Sequence, residues 1–403
     1  MTKKFLCMAT VLMSSMAMFT SCSDNDDPTP AKVISEGTYT DGNGLTLTLN
    51  GNPLLGKTAK FTPDANDASK GTLTLNSTFN LSAIPGVPES LSRDIAGPGV
   101  IPGSPETVLQ LTLDTNDNKA TFSGEGENTY CTYKYSGTVT DNSVALNIVD
   151  LTLKNQTLAG AYTLQPYDVN DDWTSDDYGT VYSEPIYAVW ESSADLNFLG
   201  TDMPIQNLLS LLMAMPLLDD MSVRVPDKIC ELLQGITLGT DGNIIAKYAD
   251  LESESPAYLQ SPANMAQYVV AGNNKMLFFL NPQAVINDAA RSRGIADIDI
   301  NNLLGNVIAQ LAPMMAEGVP MNFTQAADGN TTIYLATETL LPLLKTNVLP
   351  LLRDKELVQM LSDLIASNED FAFLAPMIPD MISSAADVIE GTTKLEIGLN
   401  FKK

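Results

Sequence analysis

Apolar and polar residues alternate along most of residues 36–166, and this alternation predicts β-strands. Leu, Val or Ile stands at every second position in five runs: 45–49, 72–75, 109–113, 144–148 and 151–153. Successive side chains of a strand point to opposite faces, so one face of the predicted sheet is apolar. Turn sequences such as Asp41-Gly42-Asn43-Gly44 separate the runs. The pattern predicts an all-β domain over residues 36–166, an antiparallel meander that curls over its leucine face. A calycin-like partial barrel is the first choice and a sandwich the second.

From residue 186 onward the pattern changes, and it predicts a C-terminal α+β domain over residues 186–403. A strand is expected at 186–198 and a closing strand at 393–401, with hairpins that turn at Gly242, Asn273 and Gly329. Helical periodicity covers 205–218, 227–234, 283–291 and 302–316, and Leu- and Met-rich helical sequence fills 338–389. The fold class predicted for the whole chain is therefore α+β.

An acidic segment separates the two predicted domains. Few apolar residues occur in 168–177, so residues 167–185 are interpreted as a linker. Within it, Asp168, Asn170 and Asp172 match the first three ligand positions of a calcium loop, although Trp173 follows where such loops turn at glycine. These three residues are the candidate metal ligands, and a solvated linker is the alternative.

The first residues of the chain predict where it works. Lys3 and Lys4 precede an uncharged apolar run at 5–19, as in a signal peptide, and Cys22 follows small residues. We interpret 1–21 as a lipoprotein signal peptide and 22–35 as a flexible tether that begins at a lipidated Cys22. Directly after the cysteine comes an acidic run: Ser23, Asp24, Asn25, Asp26 and Asp27.

This arrangement resembles the lipobox and surface-export signal of Bacteroidota outer-membrane lipoproteins. The resemblance implies palmitate on Cys22, attachment to the outer membrane, and exposure at the cell surface. The rest of the chain, a Thr- and Leu-rich β-meander followed by an α+β segment, resembles uncharacterised lipoprotein families of gut Bacteroidales. That resemblance implies no catalytic residues. No segment after the signal reaches the roughly 18 apolar residues of a membrane-spanning helix, so the lipid is the expected anchor.

Composition excludes several kinds of chemistry. The 403 residues include no histidine, which excludes Ser-His-Asp catalysis and histidine-ligated zinc or haem. A formal net charge of −26 would repel a nucleic-acid backbone. We therefore expect no nucleic-acid partner and no cofactor.

Two cysteines remain once the signal is removed and Cys22 carries a lipid. Cys131 and Cys230 lie in different predicted domains. They are either two free thiols or a disulfide that crosses the domain boundary.

Three functions remain open. The first is a non-enzymatic cell-surface lipoprotein that binds a ligand or partner, an apolar one if the Leu- and Met-rich helices line a cavity. The second is a glycan-binding accessory of a nutrient-uptake system, which would need surface aromatics; the candidates are Trp173, Tyr178, Tyr182 and Trp190. The third is a histidine-free hydrolase that uses a carboxylate pair, Glu125 with Glu127 or Glu191 with Asp195.

Overall fold

The computed structural model describes residues 34–81, 93–218, 222–250, 257–289, 314–367 and 372–403. Two ten-stranded sheets dominate this part of the chain. One closes into an eight-stranded antiparallel barrel and the other is nearly closed. The described residues are mostly β with some helices. The calycin-like first domain and the α+β second domain stay predictions.

The first sheet contains the strands expected from the alternating runs. Leu45, Leu47 and Leu49 are buried on one face while Thr46 is exposed on the other. Its strands are β1 (Gly37–Asp41), β2 (Gly44–Leu49), β3 (Asn52–Pro53), β4 (Thr58–Pro63), β5 (Lys70–Asn76), β8 (Thr107–Thr112), β9 (Asp114–Asn116), β10 (Lys119–Glu127), β11 (Cys131–Thr140) and β12 (Val144–Leu153). A separate hairpin joins β6 (Thr78–Asn80) and β7 (Asp94–Ala96).

The pairing in this sheet departs from a pure antiparallel meander. Strand β2 runs parallel to β12, with Val144 beside Leu45 and Ile148 beside Leu49, and it also runs parallel to β1. The cause is a bend between β1 and β2 at Gly42 and Gly44, whose φ angles are 75° and 81°. Strand β1 pairs with β4, and after the bend β2 continues in the same direction beside β12. Strands β2 and β12 are therefore parallel.

The second sheet forms the closed barrel. Its strands are β13 (Gly160–Leu164), β16 (Ile186–Ser192), β21 (Leu233–Leu238), β22 (Asn243–Ala249), β23 (Tyr258–Gln260), β24 (Ala266–Gly272), β25 (Lys275–Leu280), β26 (Val319–Gln325), β27 (Asn330–Leu335) and β28 (Thr392–Lys402). The barrel runs β13-β21-β22-β24-β25-β26-β27-β28 and closes where β28 pairs with β13. Strand β16 extends the sheet beyond the barrel, and β23 pairs with β22. The three predicted hairpins and the closing strand are confirmed.

Strand β13 belongs to this second sheet, although its residues fall within the range 36–166 assigned from the sequence to the first domain. It pairs with β21 through Tyr162 and Ile236 and with β28 through Leu164 and Phe401. Alternation marks a strand but does not indicate which sheet it joins.

Helices and short hairpins surround the barrel. The helices are α1 (Ile205–Ala214), α2 (Val225–Leu232), α3 (Pro282–Ala289), α4 (Thr337–Leu343), α5 (Leu349–Leu352), α6 (Lys355–Ala366) and α7 (Ile378–Glu390), with a π-helical turn between α4 and α5. The hairpins are β14 (Asp168–Val169) with β15 (Val181–Ser183), β17 (Leu196–Phe198) with β18 (Thr201–Met203), and β19 (Pro216–Leu218) with β20 (Val223–Arg224). The helix predicted over 205–218, with a stop near Pro216, ends at Ala214, because Pro216 has no amide hydrogen to continue it, and β19 follows.

One continuous apolar core joins the two sheets. Leu49, Phe61 and Ile148 from the first sheet belong to the same buried cluster as Tyr268 and Phe401 from the barrel. Backbone hydrogen bonds cross the junction as well, since Leu153 N–H donates to Thr240 O over 2.8 Å. The two sheets therefore bury their apolar side chains in one common core.

Asn264 connects the sheets at this junction. Its side chain is 2% exposed overall, and its Nδ2 donates to the carbonyl oxygens of Leu49, Asn52 and Pro53 at 3.3–3.4 Å. Its backbone N–H donates to Asn243 Oδ1 over 2.7 Å. The residue has a φ of 63°, a left-handed conformation that asparagine tolerates better than most residues. The side-chain amide of a barrel residue thus donates hydrogen bonds to three carbonyl oxygens in and beside the β2–β3 turn.

We predict that Asn264→Ala lowers the free energy of unfolding by about 3 kcal/mol, because buried carbonyls lose their donor and alanine resists the left-handed backbone. Asn274→Ala is the matched control: Asn274 has a φ of 60° but lies exposed in the β24–β25 turn, so only the backbone cost of about 1 kcal/mol applies. Urea unfolding of both variants measures the difference. Equal losses would mean that Asn264 contributes only its backbone conformation.

Lys57, directly before β4, is another buried polar residue. It is 3% exposed and its ammonium donates to Pro98 O over 2.6 Å. Burial lowers the pKa of Lys57 to about 7, an effect that the negative charge of Asp41 partly offsets. In the unfolded chain the same amine keeps its ordinary pKa of 10.5. The folded state therefore binds fewer protons than the unfolded state between these two values.

The stability contributed at this position should rise as the pH increases from about 7 to 10.5, because only the unfolded chain is then protonated at Lys57. We predict that Lys57→Met removes this pH dependence. The change in the free energy of unfolding, variant minus wild type, should be more favourable at pH 6 than at pH 10 by a few kcal/mol. Lys60→Met, on the solvent face of β4, is the control for the loss of a lysine charge at an exposed position. Urea unfolding across pH measures both, and parallel pH curves for Lys57→Met and wild type would contradict the prediction.

Candidate ligand-binding groove

A groove of about 510 Å³ lies beside the barrel, between the β14–β15 hairpin, helix α1 and the outer edge of β16. We call it the hairpin groove. Its lining residues are Tyr167, Val169, Asp171, Tyr178, Gly179, Val181, Glu184, Ile186, Ala188, Gln206, Leu209, Ser210, Met213, Ala214 and Arg224. Apolar side chains and polar or charged ones contribute about equally to this set, so the groove suits a ligand that presents both kinds of surface.

The segment interpreted from the sequence as a linker forms one wall of the groove. Asp168 and Val169 pair with Ser183 and Val181, and the intervening turn is tightened by side-chain hydrogen bonds. Asn170 Oδ1 accepts from the Asp172 amide over 3.0 Å, and Asp172 Oδ1 accepts from the Thr174 amide over 3.0 Å. This segment is a hairpin because its short polar side chains satisfy the turn backbone.

The opposite wall and the floor come from helix α1 and strand β16. Leu209 and Met213 project from α1 into the groove, and Ile186 and Ala188 line it from β16. Gln206 fixes the helix against the strand: its Oε1 accepts from the Trp190 amide over 2.7 Å and its Nε2 donates to Ala188 O over 3.3 Å. The groove therefore has one wall built directly on the extended barrel sheet.

The charged residues that line the groove are Asp171, Glu184 and Arg224. Arg224 donates to Asp171 Oδ2 over 2.7 Å, and its guanidinium lies 5.5 Å from the centre of the Tyr167 ring. Burial raises the pKa of Tyr167, and the positive charge of Arg224 partly offsets this. Burial alone raises the pKa of Glu184. Asp171 thus has a cationic partner, whereas no ion pair to Glu184 occurs in the described part of the chain.

The structure places the three candidate metal ligands in strand β14 and in the turn that follows it. Asp168 lies in β14, while Asn170 and Asp172 use their side chains in the turn. Hydrogen bonds from Thr174 lower the pKa of Asp172. Across the described residues, no group of three or more His, Cys, Asp or Glu side chains could hold a metal ion.

Cys131 and Cys230 are free thiols, so the structure has no disulfide across the two sheets. Cys131 is buried at the start of β11, where its Sγ donates to Asn128 Oδ1 over 3.3 Å, and burial raises its pKa to about 12. Cys230 lies on α2, and its Sγ donates to Gln165 O over 3.5 Å. Each thiol has a local acceptor in its own surroundings.

Three of the four aromatic candidates are exposed around the hairpin. Trp173 is 81% exposed, Tyr178 62% and Tyr182 59%. Trp190 is different: it is half-buried against the Leu196 cluster, and its Nε1 donates to Thr392 Oγ1 over 2.9 Å. The hairpin therefore carries an aromatic surface next to the groove, and Trp190 has a structural role.

The Leu- and Met-rich helices divide between packing and exposure. Leu208 of α1 packs against the buried cluster of Leu196, Ile205 and Val388, while Leu209 and Met213 line the groove. On α6, Met360 and Leu364 are 58% and 64% exposed. Only part of the predicted helical cluster reaches a cavity, and that cavity is a mixed one.

The sequence did not mark Tyr167, Glu184, Gln206 and Arg224 as groove residues. They are separated along the chain and match no short motif, so only the fold brings them together. Their one common signal is their position beside a predicted boundary or helix.

Cys22 and the acidic run Ser23, Asp24, Asn25, Asp26 and Asp27 lie outside the described residues. None of the helices in the described ranges is long and apolar enough to cross a membrane. Comparisons of the chain with protein-family models, curated proteins and solved structures found no match.

Proposed function

We propose that this chain is a non-enzymatic lipoprotein, anchored in the outer membrane through Cys22 and exposed at the cell surface, that binds a ligand in the hairpin groove. The lipid anchor and the location at the cell surface are inferred from the first 27 residues of the sequence. The binding role rests on the groove. No nucleic acid and no cofactor are involved.

The size and lining of the groove carry the proposal. Its volume of about 510 Å³ lies within the usual range for small-molecule sites, roughly 300–1,000 Å³. The lining offers Leu209, Met213 and Ile186 for apolar contact, and Glu184 and Ser210 for hydrogen bonds. Such a combination orients a ligand as well as burying it.

A purely apolar ligand is the less favourable version. It would cover Glu184, Arg224 and Asp171 without replacing the hydrogen bonds that they make with water, and buried unpaired polar groups are costly. A ligand with one apolar face and several polar groups avoids this cost.

A glycan is the second candidate ligand, and one observation favours it. Trp173, Tyr178 and Tyr182 present exposed rings on the hairpin that forms the groove wall. Sugar rings have an apolar face that aromatic side chains contact and hydroxyl groups that carboxylates and amides bind. This version makes the protein an accessory of a nutrient-uptake system.

The hydrolase alternative gains no support from its carboxylate candidates. Lys154 lowers the pKa of Glu127 through a hydrogen bond, which is opposite to what a general acid requires.

The anchor is tested by metabolic labelling with radioactive palmitate in the native host. Cys22→Ala should abolish incorporation, because the acylated thiol is gone. Cys7→Ala is the matched control and should label normally, since Cys7 lies in the signal sequence that cleavage removes. Unchanged labelling of Cys22→Ala would show that another group carries the lipid.

The groove is tested by filling it. We predict that Met213→Trp abolishes the binding of groove ligands found by NMR with a panel of soluble oligosaccharides and amphiphilic fragments. Met215→Trp is the matched control on the same side of the molecule: Met215 follows α1 directly, is 40% exposed and does not line the groove. Probes that bind both variants equally would place the binding elsewhere and contradict the proposal.

A further inference from the structure

We propose that the hairpin groove takes an extended, basic peptide segment of a protein partner, which adds to the free edge of β16 as a parallel strand. This inference rests on the proposed role of the groove as a binding site and names the class of its ligand. The argument uses the edge of β16, the position of Gln206, the groove walls and the charge.

Strand β16 has a free edge. It pairs with β28 and with no other strand among the described residues. In this pairing Tyr187 and Val189 direct their backbone groups toward β28, because the amide of Trp190 and the carbonyl of Ala188 point the other way, toward Gln206. The residues Ile186, Ala188 and Trp190 therefore present their N–H and C=O groups to the groove side.

Gln206 already occupies part of this edge in the manner of a strand. One residue of an added parallel strand would donate to the carbonyl of Ala188 and accept from the amide of Trp190. The side-chain amide of Gln206 makes both of these bonds, at 3.3 and 2.7 Å. The edge thus accepts a peptide-like group with parallel geometry at this point.

The next equivalent position along the edge is open. It consists of the Ile186 carbonyl and the Ala188 amide, both on residues that line the groove. Within the described part of the chain, neither group has a hydrogen-bond partner on this side of β16. A peptide in the groove would satisfy both, continuing the ladder that Gln206 begins.

The groove walls suit the alternating side chains of such a strand. Val169 and Val181 of the hairpin stand on one side, and Leu209 and Met213 of α1 stand on the other. Successive side chains of an extended peptide point in opposite directions, so alternate residues would enter opposite walls. Specificity would then come from these apolar contacts, and affinity from the backbone bonds.

Charge indicates that the peptide is basic. Asp171 is neutralised by Arg224, but Glu184 lines the groove and none of the described ion pairs includes it. The whole chain carries a formal charge of −26. A lysine or arginine beside Glu184 gains an opposite charge, and the negative field speeds its approach.

The experiment measures the binding of defined fluorescent peptides to the full mature protein by fluorescence anisotropy. The probe is a peptide of about eight residues that alternates valine and lysine, the length of a short added strand. Two matched peptides accompany it: one replaces lysine by glutamate, and one keeps every side chain but carries N-methyl groups on alternate amides. We expect binding of the basic peptide only, and at least about tenfold weaker binding after N-methylation, because backbone bonds are lost.

Protein variants test the same edge from the other side. Ala188→Pro removes the free amide hydrogen at an edge position where proline is tolerated, and it should weaken the basic peptide by about tenfold. Val189→Ala is the control: Val189 directs its backbone groups toward β28 and does not line the groove, so this variant should bind within about twofold of wild type. Circular dichroism and thermal unfolding show whether each variant is folded, and the N-methylated peptide needs no variant at all.

The outcomes separate this inference from the proposed function. Equal binding of the N-methylated and the unmodified basic peptide overturns the strand-addition mechanism, and equal binding of the acidic peptide overturns the basic partner. Oligosaccharides that occupy the groove while no peptide binds overturn this inference and leave the groove proposal intact. Failure of Met213→Trp to block any probe overturns the groove proposal itself.

Discussion

The double pairing of one edge of strand β28 is the constraint from which the rest of the structure follows. Thr392–Lys402 is paired on one side with β27, and on the other side first with β16 and then, at its end, with β13. The contact with β13 closes the barrel, while the part of β28 that extends past the closure provides the place for β16. The chain between β13 and β16 must therefore leave the sheet and return. That excursion, over residues 165–185, contains the hairpin that forms a wall of the groove.

Closure also determines how the core is shared. A closed barrel buries its inner face by itself, yet the cluster that contains Tyr268 and Phe401 continues into Leu49 and Phe61 of the first sheet. The junction needs polar groups because the β2–β3 turn points its carbonyl oxygens into it, and Asn264 supplies the donors. Apolar burial joins the two sheets, and one amide fixes their register. The two sheets therefore share one buried apolar cluster.

Electrostatics shapes the surface rather than the fold. Most ion pairs of the described residues are exposed, and exposed pairs contribute little to stability. Lys57 is different because it is buried and held by a backbone carbonyl, so its protonation matters to the folded state. In the groove, Arg224 pairs with Asp171, and Glu184 is the lining carboxylate that no ion pair of the described residues includes.

Sequence pattern alone determined the local elements of this protein. Alternation predicted the strands around Leu45 and Leu73, and the Asp-Gly-Asn turns predicted the hairpins at Gly242 and Gly329, because side-chain period and turn conformation are properties of neighbouring residues. Tertiary structure alone decided what those strands join: that Leu164 pairs with Phe401, that β2 lies parallel to β12, and that the acidic segment is a hairpin. It also decided the groove, since Tyr167, Glu184, Gln206 and Arg224 share no motif. Long-range pairing depends on which apolar faces meet when the sheets curl and close, and a local pattern carries no information about that choice.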